Sequence, residues 1–161
     1  MAIKPHLPAV PIKKASELSG LSPHMITYLG RIEILIPSGN LPGRGRRRLF
    51  TFSDVLFLRM IADLLSRGIE VKRLGQGLRR IKEEADLWLE VQKRPRWYLV
   101  TDGAEVMLRR KGRLESKTAD GQFVFSFVLD MEAAHAPLAS AWPRQSARAN
   151  GKGRAARSHT A

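Results

Sequence analysis

Thr27 and Tyr28 are adjacent, and His24 and Arg31 each lie three and four residues from them, so on a helix the four share one face. An imidazole, a hydroxyl, a phenol and a guanidinium together donate and accept hydrogen bonds and carry a fixed cation. That is the chemistry of reading base edges and gripping phosphates, and the Thr27 methyl adds a surface for a thymine methyl. Tyr28 also suits a half-buried position, with an apolar body and a polar tip. Arg44, Arg46, Arg47 and Arg48 come next, in a loop punctuated by Gly and Pro. A hairpin there alternates their directions and turns about half of them toward a nucleic-acid backbone.

No comparable set converges on catalysis. His6, His24, His135 and His159 are scattered, with no HExxH pair and no ligand spacing for a metal. Gly43-Arg44-Gly45 lacks the frame of a phosphate loop. Glu83, Glu84, Asp86 and Glu90, with Arg79 and Lys82 nearby, read as a solvated helix face. The chain has 0 Cys, which excludes disulfides, thiolate metal sites and thiol redox switching. The expectation is a non-enzyme without metal or cofactor.

The first group needs a helix to present it, and the local sequence supplies one. Ser22 suits an N-cap, where its hydroxyl satisfies a free backbone N–H, and Pro23 suits the first helical position, where the missing N–H costs nothing. Gly20 permits a tight turn after a preceding helix, and Ile12, Ala15 and Leu18 can pack against Ile26 and Leu29. Two short helices around a Gly turn, followed by a basic loop, read as a helix-turn-helix with a wing. The β-favourable ends of that loop, IEIL and RLFTF, predict a small hairpin.

Gly20-Leu21-Ser22-Pro23, Tyr28, Arg31, Leu35-Ile36-Pro37, Arg48-Leu49-Phe50 and Thr51-Phe52-Ser53-Asp54-Val55 occur in this order. In order and spacing they resemble the N-terminal DNA-binding domain of MerR-family transcriptional regulators. The resemblance covers roughly the first half of the chain, through Leu58, Ile61, Leu64, Arg67, Gly68 and Ile69, and fades after about Ala85. Thr27 and Leu29 stand where the family usually has Arg and Tyr, and Glu33 stands where a Gly is usual. The resemblance implies a homodimer on a palindromic promoter site, where distortion of the DNA lets RNA polymerase engage.

Residues 1–11, rich in Pro, read as a flexible leader, and 12–92 as the winged-helix domain with its following helix. Thr51 or Ser53 can cap a helix whose apolar residues, Val55 to Leu65, recur at helical spacing until Gly68. From Val71 the positions Leu74, Leu78, Ile81, Ala85 and Trp88 alternate in threes and fours. Such a stripe serves either an amphipathic helix on its own domain or a dimer seam. Lys93-Arg94-Pro95-Arg96 reads as a junction, and 97–132 as a small antiparallel β meander with turns at Thr101-Asp102-Gly103, Lys111-Gly112 and Ala119-Asp120-Gly121. Its last run, Phe123 to Leu129, alternates aromatic with other residues and is the second candidate dimer surface. Residues 136–161, with five basic side chains and no acidic one, read as a disordered tail.

The expected fold class is therefore α+β. With 28 Lys and Arg against 15 Asp and Glu, the formal net charge is +13, which favours a polyanionic partner. The charge is unevenly spread: residues 1–55 carry eight basic and three acidic side chains, whereas 97–135 carry five and six, so the partner-facing surface is expected outside the latter. No apolar run is long enough to span a bilayer, and the first residues lack the core of a signal peptide, so the expected location is the cytoplasm, on the nucleoid. The expected function is sequence-specific binding of double-stranded DNA to regulate transcription. The alternatives are an architectural or recombination-accessory DNA binder, and a basic adaptor for protein or RNA.

Overall fold

The computed structural model describes residues 8–37, 48–94, 96–111 and 127–144. Strand β1 (Val10–Pro11) leads directly into α1 (Ile12–Ser19), which ends on Gly20 at φ 83°, a left-handed conformation that glycine adopts without steric cost. Helix α2 (Pro23–Arg31) opens as its sequence predicts: the Ser22 hydroxyl accepts a hydrogen bond from the Met25 N–H at 3.1 Å, and Pro23 takes the first position.

β2 (Leu49–Phe50) pairs antiparallel with β1, Val10 opposite Phe50. This corrects two expectations. The partner of RLF is the leader, since Ile34 and Leu35 form no strand but sit buried behind the end of α2. Residues 8–11 are likewise ordered parts of the domain, with Val10 in the core, because an unpaired β2 would leave its backbone groups unsatisfied beside buried Phe50.

Helix α3 (Phe52–Ser66) is the centre of the molecule. Thr51 and Asp54 form a reciprocal capping box, the Asp54 N–H donating to Thr51 Oγ1 at 3.2 Å and the Thr51 N–H to Asp54 Oδ2 at 2.9 Å. Phe57, Leu58, Met60 and Ile61 are wholly buried, so the helix is surrounded rather than one-sided. Arg59 donates to the Leu18 carbonyl at 3.0 Å and so ties α3 to the end of α1.

Helices α4 (Gly75–Glu83) and α5 (Ala85–Lys93) break at Glu84, whose ψ of 74° is not helical, so the stripe that begins at Val71 is not one long helix. Leu74, Leu78, Ile81 and Trp88 are buried within this chain's own core, and the Trp88 ring meets Phe57 edge-on at 5.5 Å. Of the two readings of that stripe, the structure takes the intramolecular one.

Beyond Arg94 lie β3 (Trp97–Thr101), β4 (Val106–Arg110) and β5 (Phe127–Asp130), all antiparallel in the order β4-β3-β5. The sheet is thus not a meander among the described residues: β5 returns to the far side of β3, Leu99 opposite Leu129. The predicted turn at Asp102-Gly103 is present, with the Asp102 carboxylate accepting from the N–H groups of Ala104 and Glu105. The predicted turn at 119–121 and the start of the aromatic run, Phe123 and Phe125, lie outside the described residues. Leu99, Val106 and Leu129 belong to the same apolar cluster as the helices, so one core runs across the connection at 93–96.

Helix α6 (Met131–Ala141) occupies residues expected to open a disordered tail. Its stripe of Met131, Ala134 and Leu138, continued by Trp142, is buried, and Trp142 Nε1 donates to the Pro8 carbonyl at 3.2 Å. Residues 145–161 lie outside the described part.

Candidate nucleic-acid interface

Helix α2 divides cleanly. Ile26 and Leu29 are buried in the apolar core that α1 shares, while His24 and Arg31 are exposed and Thr27 and Tyr28 half-buried on the other side. The four predicted residues therefore form one solvent-facing stripe. Arg31 lies in the last turn, where a cation is favoured by the helix dipole. The Thr27 hydroxyl donates to the Pro23 carbonyl at 2.9 Å, so its proton is already committed and only a lone pair and the methyl remain for a ligand.

The end of α2 is held by an unusual residue. Glu33 has φ 60°, the conformation that Gly adopts most readily, which lets the Ile34 N–H reach back to the Leu29 carbonyl at 3.0 Å. A glutamate here stores of order 1 kcal/mol of backbone strain.

Arg48 lies against the same helix. Its guanidinium lies 3.6 Å from the point where a side chain on Gly30 would begin, so it borders the last turn of α2. The β1–β2 pairing fixes this approach by anchoring Leu49 and Phe50 directly after it. Arg44, Arg46 and Arg47, the other predicted wing residues, lie outside the described residues.

Two cations that read as part of a solvated face turn inward instead. Arg79 donates to the Ile32 carbonyl at 3.3 Å, which binds α4 to the end of α2, and its Nε is buried with no hydrogen-bond partner among the described residues. Lys82 lies 3.0 Å from the buried Asp54 carboxylate and 3.2 Å from Ser53 Oγ. Their neighbours Leu78 and Ile81 were the available signal, since residues beside a buried stripe can carry their charged heads over its edge. Glu83, Glu84 and Glu90 remain exposed, as expected.

No group of His, Asp or Glu side chains that could hold a metal ion occurs among the described residues. No helix among them is long and apolar enough to cross a membrane.

Residues 10–81 match the model of a family described as MerR HTH family regulatory protein, a family of transcriptional regulators rather than enzymes. The chain is also similar to an uncharacterized HTH-type transcriptional regulator of Mycobacterium bovis and to counterparts in two strains of Mycobacterium tuberculosis. Each is 26% identical over 70 residues, covering 43% of this chain. The chain spans about a third of the length of these relatives, 31%.

Proposed function

Because residues 10–81 of this chain belong to the MerR HTH regulatory family, we propose that it is a sequence-specific regulator that binds double-stranded DNA at a palindromic promoter site as a homodimer. The observation that carries this reading is the solvent-facing stripe of His24, Thr27, Tyr28 and Arg31, with Arg48 bordering the same helix. Laid in a major groove, α2 offers His24, Thr27 and Arg31 to base edges. Arg48, with the wing arginines Arg44, Arg46 and Arg47, neutralises flanking phosphates.

Two-fold protein symmetry matches a two-fold site. The stripe from Val71 to Trp88 packs within the chain, so the surface we assign to the dimer contact is β5, where Val128 is 43% exposed. Engagement of RNA polymerase at the bound promoter, and residence on the nucleoid in the cytoplasm, belong to the same reading. Selection of duplexes from a random pool tests it: the expected product is one inverted repeat, protected by two copies of the chain. Enrichment of no sequence over random duplex overturns it.

A further inference from the structure

Besides Arg79 and Lys82, which turn inward, α4 and its flanks carry exposed charges that pair with no other described residue. Arg73, just before it, Arg80, within it, and Glu84, the residue that ends it, line a cavity of about 420 Å³ between α4 and β4, with Glu105 on the opposite wall. Two guanidiniums and two carboxylates thus share one concave site, yet none of the four makes an ion pair or a side-chain hydrogen bond among the described residues. The same lining includes apolar side chains: Ile81 is buried, and Met107 and Leu108 are half-buried.

We propose that this cavity binds a small zwitterion with an apolar body, of the α-amino acid class. Its carboxylate sits on Arg73 and Arg80, its ammonium on Glu84 and Glu105, and its side chain on Ile81, Met107 and Leu108. The charge count selects the class. A ligand bringing one charge of each sign satisfies both pairs, whereas a simple anion meets two carboxylates and a simple cation two guanidiniums. The volume falls within the usual range for small-molecule sites.

Occupancy reaches α2 through α4. At Gly77 the cavity walls already touch: a Cβ there would lie 2.7 Å from Val106 Cγ1, so α4 has no room to move toward β4. An occupant that shifts α4 therefore moves it otherwise, and Arg79 on the same helix holds the Ile32 carbonyl at the end of α2. Binding itself does not depend on the DNA-binding reading and is measured without DNA.

The test is a titration of the full chain, followed by amide chemical shifts, with phenylalanine, N-acetylphenylalanine, phenylalanine amide and glycine. Phenylalanine is expected to shift Gly77, Val106 and Ile32 saturably. Each of the other three is expected to bind roughly ten-fold more weakly or worse, having lost one charge-assisted contact or the apolar body. Arg80→Gln and Glu105→Gln, both at exposed positions, are expected to weaken phenylalanine by a similar factor while leaving the spectrum outside the cavity unchanged. Absence of saturable shifts, equal binding of any of the three comparison ligands, or indifference to both substitutions overturns the proposal.

Discussion

Lys82 Nζ lies 3.0 Å from Oδ1 of Asp54, so a lysine on α4 neutralises the wholly buried carboxylate that caps α3. The Trp88 indole N–H donates to the neighbouring Ser53 hydroxyl at 2.6 Å, and the Gln92 amide does so at 3.2 Å. Three helices meet at this one polar cluster. A buried carboxylate is expensive unless it is paired and hydrogen-bonded, and here the capping box supplies a backbone donor, the Thr51 N–H, while α4 supplies the cation.

Removing that cation leaves a buried charge uncompensated. Lys82→Met is expected to destabilise the fold by roughly 2–4 kcal/mol, reduced from the fully buried case because the Lys82 side chain is 20% exposed. Adding Asp54→Asn should recover part of the loss, since a neutral amide needs no cation. Urea denaturation of the two single variants and the double variant measures the coupling, and additive losses would show that the pair is not coupled.

Gly77 offers a test in which two effects have opposite signs. Alanine normally stabilises a helix interior relative to glycine by about 1 kcal/mol. At Gly77 the added methyl would lie 2.7 Å from Val106 Cγ1, and overpacking of this kind costs roughly 1–3 kcal/mol. Gly77→Ala is therefore expected to lower stability on balance, and Val106→Ala in the same chain to relieve the overlap. A stabilised Gly77→Ala single variant would show that α4 and β4 are not held together there.

At Glu33 the expected change is a gain. Glu33→Gly relieves the left-handed backbone at φ 60° and should raise stability by about 0.5–1 kcal/mol, after the added entropy of the unfolded chain is subtracted. Thermal and urea unfolding check the sign.

Acid should weaken the sheet and α6 through two carboxylates. The N–H groups of Glu105 and Ala104 hold the Asp102 carboxyl below its ordinary range. Burial by itself would raise Asp130, but the hydrogen bond from Lys111 and the N–H of Glu132 outweigh it and leave its carboxyl lowered. A carboxyl depressed in the folded state contributes fully above its unfolded value, near 3.9, and loses that contribution as pH falls through the lower folded value. Lys111 is raised, by its hydrogen bonds to Asp130 and then Glu132, so its contribution is complete below about 10.4 and disappears only as pH rises through the higher folded value. Asp130→Asn should flatten the acid limb of a stability–pH profile below about pH 4 and also lower the profile's alkaline limb. An unchanged acid limb would rule out the first role.

On DNA, the wing and α2 should fail differently. Arg46→Ala with Arg48→Ala is expected to weaken specific and random duplexes about equally and to reduce the salt slope by roughly one unit per lost phosphate contact. Arg31→Ala should cost on the order of 1–3 kcal/mol on the selected site and less on random DNA. Thr27→Ala should cost less than Arg31→Ala, because the Thr27 proton is already given to Pro23. Affinities over a salt series on both duplexes decide, and the reverse pattern would exchange the two roles.

Sequence alone determined what depends on near neighbours. The Ser22-Pro23 start of α2, the capping of α3 by Thr51 and the Asp102-Gly103 turn are legible because each is closed by a hydrogen bond spanning only two or three residues. The stripe of His24, Thr27, Tyr28 and Arg31 was legible for a similar reason, since the period of a helix fixes which side chains share a face. Tertiary structure decided everything that joins distant parts. Val10 pairs with Phe50, β5 returns to β3, and Arg79 reaches Ile32, and no local pattern selects these partners from others of like chemistry. Composition hid α6, whose Ala-rich sequence, with Pro137 inside it, conceals the buried stripe of Met131, Leu138 and Trp142. The stripe from Val71 to Trp88 suited either a partner chain or this one, because an apolar face is attracted to any apolar surface that excludes water. Only the folded chain, with Phe57 presented to Trp88 and Asp54 to Lys82, settles that it packs inward.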